Sequence, residues 1–163
     1  MIKLTNFNIT ISLNMDTNNN LTKFLDAQNQ TYLKALSEIK NGKKMTHWMW
    51  YIFPQIKGLG HSETAKFYGI NGLDEAADYL AHPVLGKHLI EITTALLHIE
   101  GKTASAIFGS PDDMKLRSCL TLFANTENTH PIFQQALDKY FNGLQDELTL
   151  QRILKNKFSN DTV

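Results

Sequence analysis

The sequence predicts an all-α protein: a compact single-domain bundle of about seven to nine helices, several of them short, behind an irregular N-terminal leader. Three observations carry this. Apolar residues recur at three- and four-residue steps from Leu21 onward, all four prolines stand at the boundaries of such stretches, and no convincing strand pattern follows residue 14. The gaps between stretches, about two to eight residues, suit packed neighbouring helices. The chain divides into a flexible or accessory leader over 1–19, one all-α domain over 20–158, and a disordered tail over 159–163.

In the leader, Ile2, Leu4, Phe7, Ile9, Ile11 and Leu13 alternate much as a strand would. Two readings stay open: a dispensable leader ahead of a start at Met15, which is favoured, or a short edge strand or swapped arm. Leu21, Phe24, Leu25, Tyr32, Ala35, Leu36 and Ile39 then form a helical stripe, which Asn20 is placed to cap and Asn41-Gly42 to end. Thr46 is placed to cap a short aromatic helix from His47 to Phe53, stopped by Pro54. A glycine-punctuated loop follows, and Ser62 caps another short helix closing at Gly69.

Asp74 and Glu75 occupy the first turn of the next helix, where the macrodipole favours carboxylates. His82-Pro83 ends that helix and opens a longer one, with Leu85, Leu89, Ile92, Leu96 and Ile99 on one stripe and Gly101 as its stop. Thr103 to Gly109 makes a further short turn. Ser110-Pro111-Asp112-Asp113 has the spacing of a capping box, Ser110 to Asp113, ahead of a helix bearing Leu116, Cys119, Leu120 and Phe123. Pro131 opens a helix closed by Asn142-Gly143, and Asp146 to Phe158 is the last.

Composition excludes several function classes. The 163 residues carry 16 Lys+Arg against 16 Asp+Glu, so a general nucleic-acid or membrane-surface binder, which needs a basic excess, is disfavoured. No run of 18 apolar residues could span a membrane. The one cysteine, Cys119, cannot form an intrachain disulfide and fits a reducing compartment, hence an expected cytoplasmic location. None of the six histidines belongs to an H-x-x-x-H or H-E-x-x-H pattern, so neither a metal nor a cofactor is expected. His82 and His130 each precede a proline at a helix start, and Cys119 falls on an apolar stripe.

The most unusual window is Thr46-His47-Trp48-Met49-Trp50-Tyr51-Ile52-Phe53-Pro54-Gln55, which holds both tryptophans of the chain. Such rings either fill a core or form a pocket wall, where a flat face receives a base or sugar and His47 supplies a proton near neutral pH. Lys40, Lys43 and Lys44 lie just upstream, either as a solvated basic turn or as an anion site at the helix start. Lys57-Gly58-Leu59-Gly60-His61-Ser62 lacks the spacing of a P-loop, and its phosphate-cradle reading is weak. Asp112, Asp113, Lys115 and Arg117 crowd one helix start, either as caps and surface ion pairs or as a base with anion-binding cations.

Several of these stretches together resemble a bacterial family of proteins of unknown function, the domain of unknown function 1810 family, sometimes labelled calpastatin-like. They are Phe24-Leu25-Asp26-Ala27-Gln28; Thr46-His47-Trp48-Met49-Trp50 through Phe53-Pro54-Gln55 to Gly58-Leu59-Gly60; Phe67-Tyr68-Gly69-Ile70; Tyr79-Leu80-Ala81-His82-Pro83-Val84-Leu85-Gly86; and Phe108-Gly109-Ser110-Pro111-Asp112-Asp113-Met114-Lys115-Leu116 with Thr121-Leu122-Phe123. The resemblance covers about residues 22–143 and implies a compact helical fold without an established activity. Protease-inhibiting calpastatins are disordered until bound, so regular amphipathic helices do not support that label.

The leading functional expectation is a cleft between the His47–Trp50 segment and the Asp112–Arg117 helix start, binding a small anionic, nucleotide-like ligand. Trp48 or Trp50 would stack, Lys44, Lys115 and Arg117 would hold the anion, and Gln55 would bond a ring edge. Tyr68 and Asp112 would line the cleft, and any hydrolytic or transfer step would use His47 or Asp113 as general acid/base. The alternative is a protein–protein interaction module whose aromatics are core packing, its apolar face covered by a partner or in a homodimer.

Overall fold

The structure, a computed structural model, describes the backbone of residues 3–161 and the side chains of 20–159 and 161. Nine helices are present among these residues: α1 (Lys3–Lys40), α2 (Met49–Ile52), α3 (Glu63–Tyr68), α4 (Leu73–Ala81), α5 (Leu85–Leu97), α6 (Ala104–Phe108), α7 (Asp112–Ala124), α8 (Ile132–Phe141) and α9 (Glu147–Asn160). The expected all-α class is what the chain adopts. Its extended pairing, among the described residues, is a single parallel bridge between Ile56 and Ile70.

Many predicted ends fall where local chemistry puts them. Gly42, at φ +77°, takes the left-handed conformation that stops α1, and Asn142 and Gly143 do the same after α8. Ser62 accepts from the Ala65 N–H, Thr103 from Ala106 and Asp146 from Thr149, each capping its helix. The imidazoles before the prolines are also caps: His82 Nδ1 accepts from Val84 N–H at 3.1 Å, and His130 Nδ1 from Ile132 N–H at 3.1 Å.

Other expectations are corrected. The start of the chain is helical from Lys3, so the period-two apolar pattern makes no strand there; the helix propagates back through Asn20, which therefore caps nothing. Ser110 and Asp113 form no capping box, because the Asp113 N–H bonds the Gly109 carbonyl at 2.9 Å and Pro111 is the N-cap without a side-chain bond. α9 continues to Asn160, past the predicted end at Phe158, so the tail expected from 159 begins as helix; residues 162–163 lie outside the described residues.

The core is organised by rings. Phe24 of α1 meets Tyr79 of α4 edge-on at 5.2 Å, Tyr79 meets Phe123 of α7 at 5.4 Å, and Phe123 meets Phe133 of α8 at 5.6 Å. All four are buried, and each ring pair adds about 1 kcal/mol beyond its area burial. α5 lies at the centre, packed on α1, α4 and α8. A second ring cluster, Trp48, Phe53 and Phe108, joins the α2 region to α6. This second cluster positions the candidate site.

Candidate functional site

The site begins at the end of α1. Glu38 is buried in the last turns of that helix and collects four donors from the chain that has just reversed direction. Its Oε2 accepts from the Met45 N–H at 2.8 Å, the Thr46 N–H at 3.2 Å and the Trp48 indole at 2.7 Å, and its Oε1 from the Thr46 hydroxyl at 2.6 Å. Burial alone would raise the carboxyl pKa; the hydrogen bonds outweigh it and hold the value at about 2. Thr46 is thus spent on Glu38 and does not cap a helix, and α2 starts only at Met49 behind an N-cap at Trp48 with no side-chain bond.

With Trp48 pinned, Phe108 packs against it and the Lys44 N–H bonds the Ile107 carbonyl at 2.8 Å, which fixes α6 beside residues 43–48. Gly109, at φ +72°, turns the chain from α6 into α7. The first residue of α7, Asp112, then arrives against Lys44. The Lys44 ammonium lies 2.8 Å from Asp112 Oδ2, and Lys115, one turn further, lies 3.0 Å from Oδ1. Desolvation would raise the Asp112 pKa, but the two ammonium groups win and lower it. The same lysines cover the tryptophans: Lys44 Nζ sits 5.1 Å from the Trp48 ring and Lys115 Nζ 3.8 Å from the Trp50 ring. The aromatic segment and the charged helix start, distant in sequence, therefore meet.

Trp50, Gln55 and Tyr68 share a gap with Ile56, Gly60, Ala65 and Gly69, but its volume is about 10 Å³, room for one water molecule at most. Where an open cleft is expected between the two segments, Lys44 and Lys115 lie over the Trp48 and Trp50 rings and bond Asp112. The family model for DUF1810, described as a protein of unknown function, matches residues 18–153, a span that includes every residue of this junction. The chain belongs to the DUF1810 family. A DUF1810 chain of this kind is also similar to a solved structure, the conserved hypothetical protein Rv1873 from Mycobacterium tuberculosis. The two share 41% identity, with a TM-score of 0.81, over 83% of this chain and 96% of that one. No curated protein matches it.

Not every candidate residue joins the junction. Trp48, 1% exposed, has no face open to a ligand and is a core residue of the DUF1810 fold here. Arg117 points elsewhere: its guanidinium donates to the Leu144 carbonyl at 2.8 Å and the Gln145 carbonyl at 2.9 Å, tying α7 to the α8–α9 turn rather than waiting for an anion. His47 is exposed, while Asp113 Oδ1 accepts from the Met114 N–H at 2.9 Å; no hydrogen bond joins the two among the described residues. Cys119 is buried, and burial raises its thiol pKa, so it is no nucleophile. No three His, Cys, Asp or Glu side chains group around a possible metal position among the described residues. No helix among them is long and apolar enough to cross a membrane.

Two polar residues that the sequence reading passed over support the site from behind. Glu38 is one. Gln28 is the other: its Nε2 donates to the Tyr51 carbonyl at 2.8 Å and the Tyr79 hydroxyl at 2.9 Å, and its Oε1 lies 2.8 Å from His88 Nδ1. His88 stacks on Tyr32 at 3.6 Å, and the Tyr32 hydroxyl bonds Glu91. Burial lowers the His88 pKa against the pull of Glu91. α2 is thereby anchored to α1, α4 and α5, so the ring of Trp50 is carried on a rigid support. Gln28 falls on the α1 stripe between Phe24 and Tyr32, the one signal that marked it as core-facing.

Proposed function

We propose that this DUF1810 chain binds a small anionic ligand with a flat ring at the Lys115–Trp50 junction, and that binding, not acid–base chemistry, is what the junction does. The observation that carries this is the placement of Lys115, shared between a carboxylate and an indole face. Asp112 is shared between two ammonium groups, so one of them can turn to a ligand while the other keeps the carboxylate paired. An entering anion takes Lys115 from Asp112, and the lysine vacates the ring it covers. The cation–π contact given up is worth about 1 kcal/mol. Stacking of a ring on Trp50 returns about 1–3 kcal/mol, and the new charge pair adds to it.

Lys44 stays with Asp112 through the exchange and keeps the carboxylate from being left unpaired. Gln55 and Tyr68 line the small gap beside the indole, and His47 is exposed. The test is calorimetric titration with a nucleoside monophosphate panel against the wild type, Lys115→Ala and Trp50→Ala. Saturable binding that weakens at least tenfold in both variants supports the proposal. Absence of saturable binding, or binding untouched by either change, removes it.

A further inference from the structure

A second concavity lies between Gly58–His61 and α9. It has a volume of about 410 Å³ and is lined by Gly58, Leu59, His61, Leu148, Gln151, Arg152 and Lys155. That volume falls in the range of small-molecule sites, unlike the gap beside Trp50. Its charge is one-sided. Two basic side chains line it and no carboxylate does, in a chain whose acids and bases are equal in number.

Neither cation is neutralised elsewhere: the ion pairs among the described residues involve Lys44, Lys66 and Lys115, not Arg152 or Lys155. Arg152 is half-buried and holds one NH2 group 3.1 Å from the Gly58 carbonyl, which aims the guanidinium at the loop while no carboxylate among the described residues pairs with it. Gly58 permits this approach; at φ +99°, a Cβ there would stand 2.7 Å from Arg152 Cζ. Gln151 directs its amide to Glu147 at 3.4 Å, and that carboxylate does not line the concavity. Leu148, strongly exposed and one turn before Arg152 on the same face of α9, and Leu59 of the loop add apolar surface beside the charges.

We infer that this concavity is a binding site for a small organic phosphate, with Arg152 and Lys155 holding the phosphate, His61 adding a ring N–H, and Leu59 and Leu148 packing against the carbon skeleton. A planar guanidinium beside a mobile ammonium suits the oxygens of a phosphomonoester, and a half-buried, unpaired guanidinium gains most from an anionic partner. The inference stands apart from the Lys115–Trp50 reading, since it needs no ring to stack and shares none of its cations.

The experiment is calorimetric titration of the full chain, at constant ionic strength, with ribose 5-phosphate, ribose and inorganic phosphate. One-site binding of ribose 5-phosphate is expected, tighter than inorganic phosphate and with ribose silent. It should weaken at least tenfold in Lys155→Gln and persist in Trp50→Ala. Arg152→Gln also removes a bond to the loop, so the exposed Lys155, which has no such bond, is the deciding variant, with Leu148→Asp as a second. No saturable binding, equal binding of inorganic phosphate, or retention of affinity in both Lys155→Gln and Leu148→Asp overturns the inference. Loss in Trp50→Ala with retention in Lys155→Gln does so too, by moving the ligand to the other junction.

Discussion

Lys115 holds its ammonium 3.8 Å from the centre of the Trp50 ring while bonding Asp112, so one side chain joins the aromatic segment to the start of α7. Asp112 is 19% exposed and sits between two lysines, one of them only 8% exposed. Asp112→Ala strands the Lys44 charge where water barely reaches it and should cost about 2–3 kcal/mol, somewhat below the loss of a fully buried pair. Lys44→Met, which removes the charge and keeps the apolar stem, should cost less than about 1 kcal/mol because Asp112 retains Lys115. Urea denaturation of the two variants gives the ordering.

Glu38 makes the fold sensitive to acid. Its carboxyl has a pKa of about 2 in the folded chain against an ordinary value of 4.5, so the folded state binds the proton later than the unfolded one. The stabilisation is therefore complete above about pH 4.5 and is lost as the pH falls toward 2, on the order of 3 kcal/mol in all. Glu38→Gln should lower stability at pH 7 by roughly 2–3 kcal/mol, since one amide oxygen cannot serve donors that bind both carboxylate oxygens. The gap between wild type and variant, measured by urea unfolding, should narrow at pH 3.

Arg117 acts as a clamp. Arg117→Ala frees the carbonyls of Leu144 and Gln145 and should cost about 1–3 kcal/mol, with faster amide exchange across residues 143–147. It should leave ligand affinity at the Lys115–Trp50 junction unchanged, which hydrogen-exchange mass spectrometry and titration together check.

Gly86 in α5 packs directly on α4: a Cβ there would stand 1.9 Å from the Leu80 carbonyl oxygen, a backbone atom that cannot step aside. Although alanine is the better helix former, Gly86→Ala should destabilise by about 3 kcal/mol or more by prying the two helices apart. Thermal melting followed by circular dichroism reads this directly.

Local signals carried most of the helix map: Gly42, Ser62, Thr103, Asn142 and Asp146 each act within a few residues of themselves, so the chain alone reveals them. The meeting of Lys44 and Trp50 with Asp112 and Lys115 was also legible, as a shared surplus of polar and aromatic residues beyond what capping requires. What escaped was whatever depends on distant partners. Glu38 lies on the flank of a helical stripe, where a carboxylate reads as solvated, and only the chain reversal at Gly42 brings Met45, Thr46 and Trp48 onto it. Arg117 was grouped with Lys115 by proximity in sequence, yet two positions along a helix swing a side chain to a different face, here toward the α8–α9 turn. The closed state of the junction could not be read from residue types, since it depends on how the lysines fold over the rings.

The most direct test uses the two indole N–H resonances of the chain in a ¹H–¹⁵N spectrum, followed while a nucleoside monophosphate is added. Trp48 is buried with its N–H on Glu38 and Trp50 lies under Lys115, so the two signals report the core and the binding face separately. The Trp50 signal should move saturably while that of Trp48 stays within its line width. A Trp50 signal that never moves, or one that moves only together with Trp48 as the core loosens, would contradict a binding face at Lys115 and Trp50.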